Sequence, residues 1–344
     1  MELKELCKVV VEKQGSDLHL CTGLPPSIRL NGELNFINDK SLTKEDIENM
    51  LSGFLSPGKN RITENEELDL AVEIPDMARF RCNIYHDRNG ICAALRLIPE
   101  KIKSIEELGL PLVVRQISSL QKGLVLVTGV TGSGKSTTLA AVIDAVNSER
   151  KEHIITIEDP IEYIHKNKKS IINQRELESH TKSFAVALKA ALREDPNVIL
   201  VGELRDLETI SMAVTAAETG HLVLATLHSS NAVDAINRII DVFPAHQQDQ
   251  IRVQLAENLF MVISQVLLPS VDGKTRYLAC EVMIANPAIK NLIRDKQTYQ
   301  IRNTITLSSK DGMQTIDQSL KLLVDSGKVS NESALPWAVE KAKI

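Results

Sequence analysis

Gly129-Val130-Thr131-Gly132-Ser133-Gly134-Lys135-Ser136 fills every fixed position of the phosphate-binding pattern G-x-x-x-x-G-K-[ST]. Its flanks agree. The run Gly123-Leu124-Val125-Leu126-Val127-Thr128 before it predicts a short buried strand, and Ser136 to Val146 after it carries apolar residues at helical spacing. Strand, glycine turn and helix in that order let successive backbone N–H groups converge on a phosphate, reinforced by the positive end of the helix. Lys135 would then reach the β- and γ-phosphates of ATP and the Ser136 hydroxyl would bind Mg²⁺, with Thr137 completing the binding set. A chance match in a glycine-rich turn would lack these flanks.

Composition narrows the partners. The 344 residues suggest two domains, and 43% hydrophobic residues suffice for sizeable cores. Aromatic residues make up only 3% and the net charge is −5, which argues against direct nucleic-acid binding. The sequence has no run of eighteen apolar residues and no charged-then-apolar leader at Met1, so a cytoplasmic chain, peripheral to a membrane through protein partners, is expected. Cysteines stand at 7, 21, 82, 92 and 280 without a C-x-x-C pair, which favours reduced, mostly buried thiols over a zinc site.

Residues 1–99 carry strand-like runs at 27–30, 69–74, 79–85 and 91–98, with turn signals at Asn31-Gly32 and Asn89-Gly90 and helical patterns at 2–13 and 43–55. They predict a small α+β domain on an antiparallel sheet. Residues 100–116, broken by Gly109 and Pro111, read as a linker leading into a short helix near 120. From 117 to 344 strands alternate with helices, which predicts a mostly parallel sheet covered on both faces, with ligand at the carboxyl ends of its strands. A helical part begins near 285.

Acidic residues fall at those strand ends. The apolar run 153–157 leads into Glu158-Asp159-Pro160-Ile161-Glu162-Tyr163, whose carboxylates could hold Mg²⁺ through water or orient a nucleophile. The run 197–201 ends in Gly202-Glu203, a Walker B pattern with glycine where aspartate is usual. Glu203 is the candidate to polarise the attacking water, and Mg²⁺ would lean on Ser136, water and the cluster at 158–162. The strand 221–226 places Thr226 and His228 at its end as candidate γ-phosphate sensors; His221, at its start, is either a third sensor or a structural histidine.

Together these segments resemble the PilT-type secretion ATPases of type IV pilus retraction. Residues 129–136 match the family's Walker A, 156–163 its acidic box, 199–206 its atypical Walker B and 219–229 its His box. Gly15 to Leu20, Gly23 to Pro26 and Gly312 to Leu320 are also similar. Ala288-Ile289-Lys290-Asn291-Leu292-Ile293-Arg294-Asp295 resembles the family's retraction motif, with lysine for arginine at 290 and aspartate for glutamate at 295.

The resemblance implies a PAS-like α+β domain followed by a RecA-like P-loop α/β domain with C-terminal helices. It further implies a homohexamer at the inner-membrane base of the pilus machine, working on a PilC-like platform protein. Arginines of the N-terminal domain, Arg81 and Arg96 with Arg79 as a neighbour, would close over the phosphates, and Glu162 would join the catalytic set. Rival readings are a PilU-like paralogue, a type IV secretion ATPase and, more distantly, a non-hydrolysing nucleotide switch or a small-molecule kinase.

Overall fold

The structure, a computed structural model, describes residues 2–30, 32–54, 67–75, 77–98 and 101–344. It divides into two compact units, 1–101 and 102–344. Asn31 of the first turn signal, Leu55 at the end of the second helical pattern, Pro99 at the end of the first predicted domain and Glu100 at the head of the linker lie outside the described residues.

The first unit contains α1 (Leu3–Glu12), β1 (Asp17–Cys21), β2 (Ser27–Leu30), β3 (Glu33–Phe36), α2 (Lys44–Ser52), β4 (Leu68–Ile74), β5 (Ala78–Asp87) and β6 (Gly90–Ile98). The strands form one antiparallel sheet in the order β3-β2-β1-β6-β5-β4. Alternation along β5 sends Phe80, Cys82 and Ile84 into a core with Leu6, Val10, Ile47 and Leu51 of the two helices. Its other face carries Arg79, Arg81 and Asn83. At the β5–β6 turn the Asp87 carboxylate accepts the N–H groups of Asn89 (2.7 Å) and Gly90 (3.1 Å). The sequence reading passed over β1 and β3.

The second unit opens with a 3₁₀ segment, Leu112–Ser119, followed by β7 (Gly123–Thr128), α3 (Lys135–Glu149), β8 (His153–Glu158), β9 (Ile171–Glu176) and α4 (Phe184–Ala191). Next come β10 (Val198–Val201), α5 (Leu207–Glu218), β11 (Leu222–Leu227), α6 (Ala232–Asp241) and α7 (Gln248–Asn258). The chain ends with β12 (Leu259–Pro269), β13 (Arg276–Ile284), α8 (Pro287–Arg294), α9 (Ile301–Leu307), α10 (Ile316–Asp325) and α11 (Asn331–Ala334). The sheet order is β13-β12-β7-β11-β10-β8-β9, with only β13 antiparallel to its neighbour. β7 feeds both faces: Leu124 and Leu126 enter one apolar cluster, Val125 and Val127 the other. A strand buried on both sides reads as an unbroken apolar run, and this one does.

Residues 102–116 are not a free linker, as the sequence reading had them. Ile105, Leu110 and Val114 are buried against Leu139, Val142 and Val146 of α3, and Arg115 pairs with Glu106 (2.8 Å) and Glu149 (2.9 Å). Gly109 closes a turn over 105–109, and Pro111 is the N-cap of the 3₁₀ segment. Gly312, at φ +89°, sits where this segment meets the C-terminal helices, and a Cβ there would stand 2.8 Å from Cβ of Val113. Gly327, at φ +67°, has nothing within 4 Å of such a Cβ. Gly312→Ala is therefore expected to destabilise by about 2–3 kcal/mol, combining backbone strain with overpacking, and Gly327→Ala by only about 1 kcal/mol. Thermal unfolding of both variants checks this; equal losses would refute the packing account.

Candidate nucleotide site

Thr128 ends β7 at the carboxyl edge of the sheet, and the glycine loop begins there. Gly129 (φ 145°), Gly132 (φ 78°) and Gly134 (φ 87°) all occupy conformations that favour glycine. At Gly129 a side chain would also collide with the backbone carbonyl of Gln265 on β12. Lys135 opens α3, and its Nζ donates to the carbonyls of Gly129 (2.9 Å) and Val130 (3.1 Å). Burial pulls the Lys135 pKa down, while the charges of Glu203 and Glu162 oppose that shift. Thr137 Oγ1 is 2.9 Å from the Tyr163 hydroxyl, which ties the first turn of α3 to the acidic segment.

The acids come from neighbouring strands. Val201 pairs with Ile157, so Gly202 and Glu158 leave β10 and β8 side by side. Glu158 accepts from Thr156 Oγ1 (2.6 Å) and Gln174 Nε2 (3.2 Å). Burial pushes its carboxyl up to about 6, against the pull of those two hydrogen bonds and of the Glu162 backbone N–H. Asp159 and Glu162 are exposed. Glu203 is held from two sides: Arg205 donates to Oε2 through Nε (2.8 Å) with its terminal nitrogen 2.7 Å from the same oxygen, and His228 Nε2 lies 3.4 Å from Oε1.

Other predicted residues are placed differently. Thr226 is buried, and its hydroxyl donates to the Gly202 carbonyl while its own carbonyl accepts from Leu204 N–H (3.0 Å), so it laces β11 to the Walker B turn. His221 does not belong to this cluster. It precedes the amino end of β11, where Leu222 pairs with Gly123, and its Nδ1 lies 2.9 Å from the Ala216 carbonyl at the end of α5. The phosphate loop follows the opposite end of β7, so the length of the strands separates His221 from it.

In the first unit Arg81 and Arg96 are directly opposite on β5 and β6. Each faces a carboxylate, Arg81 with Asp69 (3.7 Å) and Arg96 with Asp17 (2.9 Å). Residues 288–295 form most of α8, with Ile289 and Ile293 in the core and Ala288, Asn291, Arg294 and Asp295 exposed. Lys290 Nζ donates to the Glu257 carbonyl (3.0 Å) at the end of α7.

Two residues were missed. Gln265 hydrogen-bonds the loop and α3, and Arg205 holds Glu203. A glutamine inside the apolar run 259–268 was the available signal for the first; Arg205, two residues past Glu203, gave none.

The donors suit a polyphosphate. Three glycines in permissive conformations, the Lys135 ammonium and a buried Ser133 Oγ with no hydrogen-bond partner among the described residues all belong to one loop. No group of three His, Cys, Asp or Glu residues able to hold a metal occurs among the described residues. The Ser136 hydroxyl, with phosphate and water, could supply the oxygen ligands that Mg²⁺ prefers.

Loop, strand order and acidic strand ends define a P-loop nucleotide-binding α/β protein. A family model for "Type II/IV secretion system protein" matches residues 10–331. The chain is 46% identical to the type IV pilus retraction ATPase PilT of Pseudomonas aeruginosa, covering all of this chain and 99% of that protein. It is 49% identical to a twitching motility protein of Neisseria gonorrhoeae over 90% of this chain and 83% of the relative. Among solved structures, the pilus retraction motor PilT with bound ADP superposes with a TM-score of 0.92 at 44% identity, covering 100% and 99% of the two chains. The chain belongs to the type II/IV secretion ATPase family, on its PilT branch.

Glu158 generates a pH prediction. Its folded pKa of about 6 lies above the ordinary value of 4.5, so the folded state keeps a proton that the unfolded chain releases. The stability present below pH 4.5 is lost as pH rises through 6. Such a shift carries roughly 2 kcal/mol, and residual solvent contact leaves about 1 kcal/mol. Without nucleotide, Glu158→Gln is expected to be about 1 kcal/mol more stable than the parent at pH 7.5 and no more stable at pH 4.5. Denaturant unfolding at both pH values tests this; no gain at pH 7.5 would refute it.

Proposed function

We propose that this chain is a motor ATPase that hydrolyses ATP to ADP and phosphate to power type IV pilus retraction and twitching motility. The observation that carries the reading is the placement of Glu203, anchored by Arg205 and His228 at the strand edge that also bears the phosphate loop. A carboxylate held at both oxygens is suited to orienting a water for in-line attack on the γ-phosphate. In this reading Gly129 to Thr137 bind the β- and γ-phosphates, Lys135 offsets their charge, and His228 senses the γ-phosphate beside Glu203. Mg²⁺, held by Ser136 and through water by Glu158, would neutralise charge on the bridging oxygens. Glu162 and Asp159 complete the acidic box.

The working assembly is proposed as a homohexamer at the cytoplasmic, inner-membrane base of the pilus machine, acting on a PilC-like platform protein. No helix among the described residues is long and apolar enough to cross a membrane, which supports attachment through a partner. Arg81 and Arg96 are the proposed cations for a neighbouring copy's nucleotide, exchanging Asp69 and Asp17 for phosphate. The exposed face of α8, with Asn291, Arg294 and Asp295, is the proposed retraction surface.

Glu203→Gln should retain ATP affinity and lose turnover by about a hundredfold or more, whereas Lys135→Ala should weaken binding itself. Full hydrolysis by Glu203→Gln would remove that residue from the mechanism. In a deletion strain, excess surface pili without twitching, rescued by the intact gene and not by Glu203→Gln, is the expected result. Normal twitching would point to an accessory paralogue, and loss of pili to an extension motor.

A further inference from the structure

Gln265 is a buried polar residue in an apolar stretch. It lies in β12 among Val262, Ile263, Val266 and Leu268, with 4% of its surface exposed. A buried primary amide is destabilising unless its donor and acceptor are both matched. Here both are. Nε2 donates to the Ser133 carbonyl (2.8 Å), and Oε1 accepts from Thr138 Oγ1 (3.0 Å). A carbonyl can only accept, so this pairing also fixes which end of the amide is nitrogen. The strand meets the loop elsewhere too: Thr128 Oγ1 donates to Ser264 Oγ (2.8 Å), and the Gln265 carbonyl fills the space that a side chain on Gly129 would need.

The Ser133 carbonyl and the Gly134 N–H belong to one planar trans peptide and point in opposite directions. A donor that holds the carbonyl against β12 therefore turns the N–H away from β12, toward the side where the loop receives phosphate. We infer that Gln265 is a positioning residue of the nucleotide site: its amide clamps the Ser133–Gly134 peptide so that Gly134 N–H faces the phosphates, with Thr138 fixing the amide from behind. The inference rests on the reading of Gly129 to Ser136 as the nucleotide loop and adds the part that aims it. Phosphate contact by an N–H is common to bound ATP, bound ADP and the transition state. Loss of the clamp should thus appear in affinity rather than in turnover at saturation.

The test uses the full-length protein with Mg²⁺ and ADP as the probe, alongside steady-state ATP hydrolysis. Gln265→Met keeps the volume and removes both hydrogen bonds; Gln265→Glu keeps the acceptor for Thr138 and removes the donor to Ser133. Both should raise the ADP dissociation constant and the KM for ATP by about tenfold to a hundredfold, the range for one charge-assisted hydrogen bond, with kcat changed less than threefold. Thr138→Val leaves the donor to Ser133 in place and should cost less affinity than Gln265→Met; should the latter fail to fold, the glutamate and valine variants still decide. A lower melting temperature without nucleotide, with ADP affinity within twofold of the parent, would reduce Gln265 to a structural role and overturn the inference. Lys135→Ala, measured in parallel, separates the two levels. If it too binds ADP normally, the loop assignment fails; if it loses ADP while the Gln265 variants do not, only the present inference fails.

Discussion

The carboxyl ends of three parallel strands are drawn together at one residue without a side chain. Gly202 N–H donates to the Ile157 carbonyl (2.7 Å), extending the β8–β10 pairing past the last regular residue of β10. Its own carbonyl accepts from the Thr226 hydroxyl, so β11 is fastened to the same point. A Cβ at 202 would stand 3.1 Å from the Ile157 carbonyl and 3.3 Å from Cα of Glu158, tighter than most packed contacts. The glycine in place of the usual Walker B aspartate thus has a steric reason: the strands close where that side chain would begin. A carboxyl stands one strand over, at Glu158.

Closing the strands concentrates charge in a partly dry place. Burial raises the Glu158 pKa and lowers that of Lys135, two shifts that both oppose charge. The opposing contributions come from Glu203 and Glu162, which favour the Lys135 ammonium, and from Thr156 and Gln174, which favour the Glu158 carboxylate. Glu203 differs in having cationic and imidazole neighbours of its own, Arg205 and His228. Carboxylates one strand apart are thereby given different surroundings, one desolvated and hydrogen-bonded, the other ion-paired. Their separate roles in the proposed chemistry follow from that difference.

What could be read from the sequence was local. The phosphate loop, its strand and its helix are contiguous, and acidic residues directly after apolar runs mark strand ends whichever strand lies beside them. Strand neighbours carry no such mark. β9 is a polar edge strand, and β12 follows α7 with no glycine or proline between Asn258 and Leu259, so neither announces itself. The segment 102–116 looked like a linker because Gly109 and Pro111 break its periodicity; its anchoring to α3 through Ile105 and Val114 depends on residues more than twenty positions away. His221 stood close to His228 in sequence, but six-residue strands such as β11 separate their two ends by roughly 20 Å. Gln265 was invisible as a site residue because its partners are 127 and 132 positions distant.

The substitution of lysine for arginine at 290 also changes meaning once its contact is known. Arginine is irreplaceable where a planar fork meets a carboxylate or phosphate on two bonds. Lys290 instead meets a single backbone oxygen, that of Glu257 in the last turn of α7, where unsatisfied carbonyls and the negative end of the helix favour any cation with one donor to offer. Lysine supplies that as well as arginine does. The departure from the motif therefore leaves the α7–α8 junction intact, with Ile289 and Ile293 still directed into the core. Arg294, on the exposed side of α8, and Asp295, which caps that helix, keep the charge signs that the motif prescribes, with the carboxylate at 295 one methylene shorter.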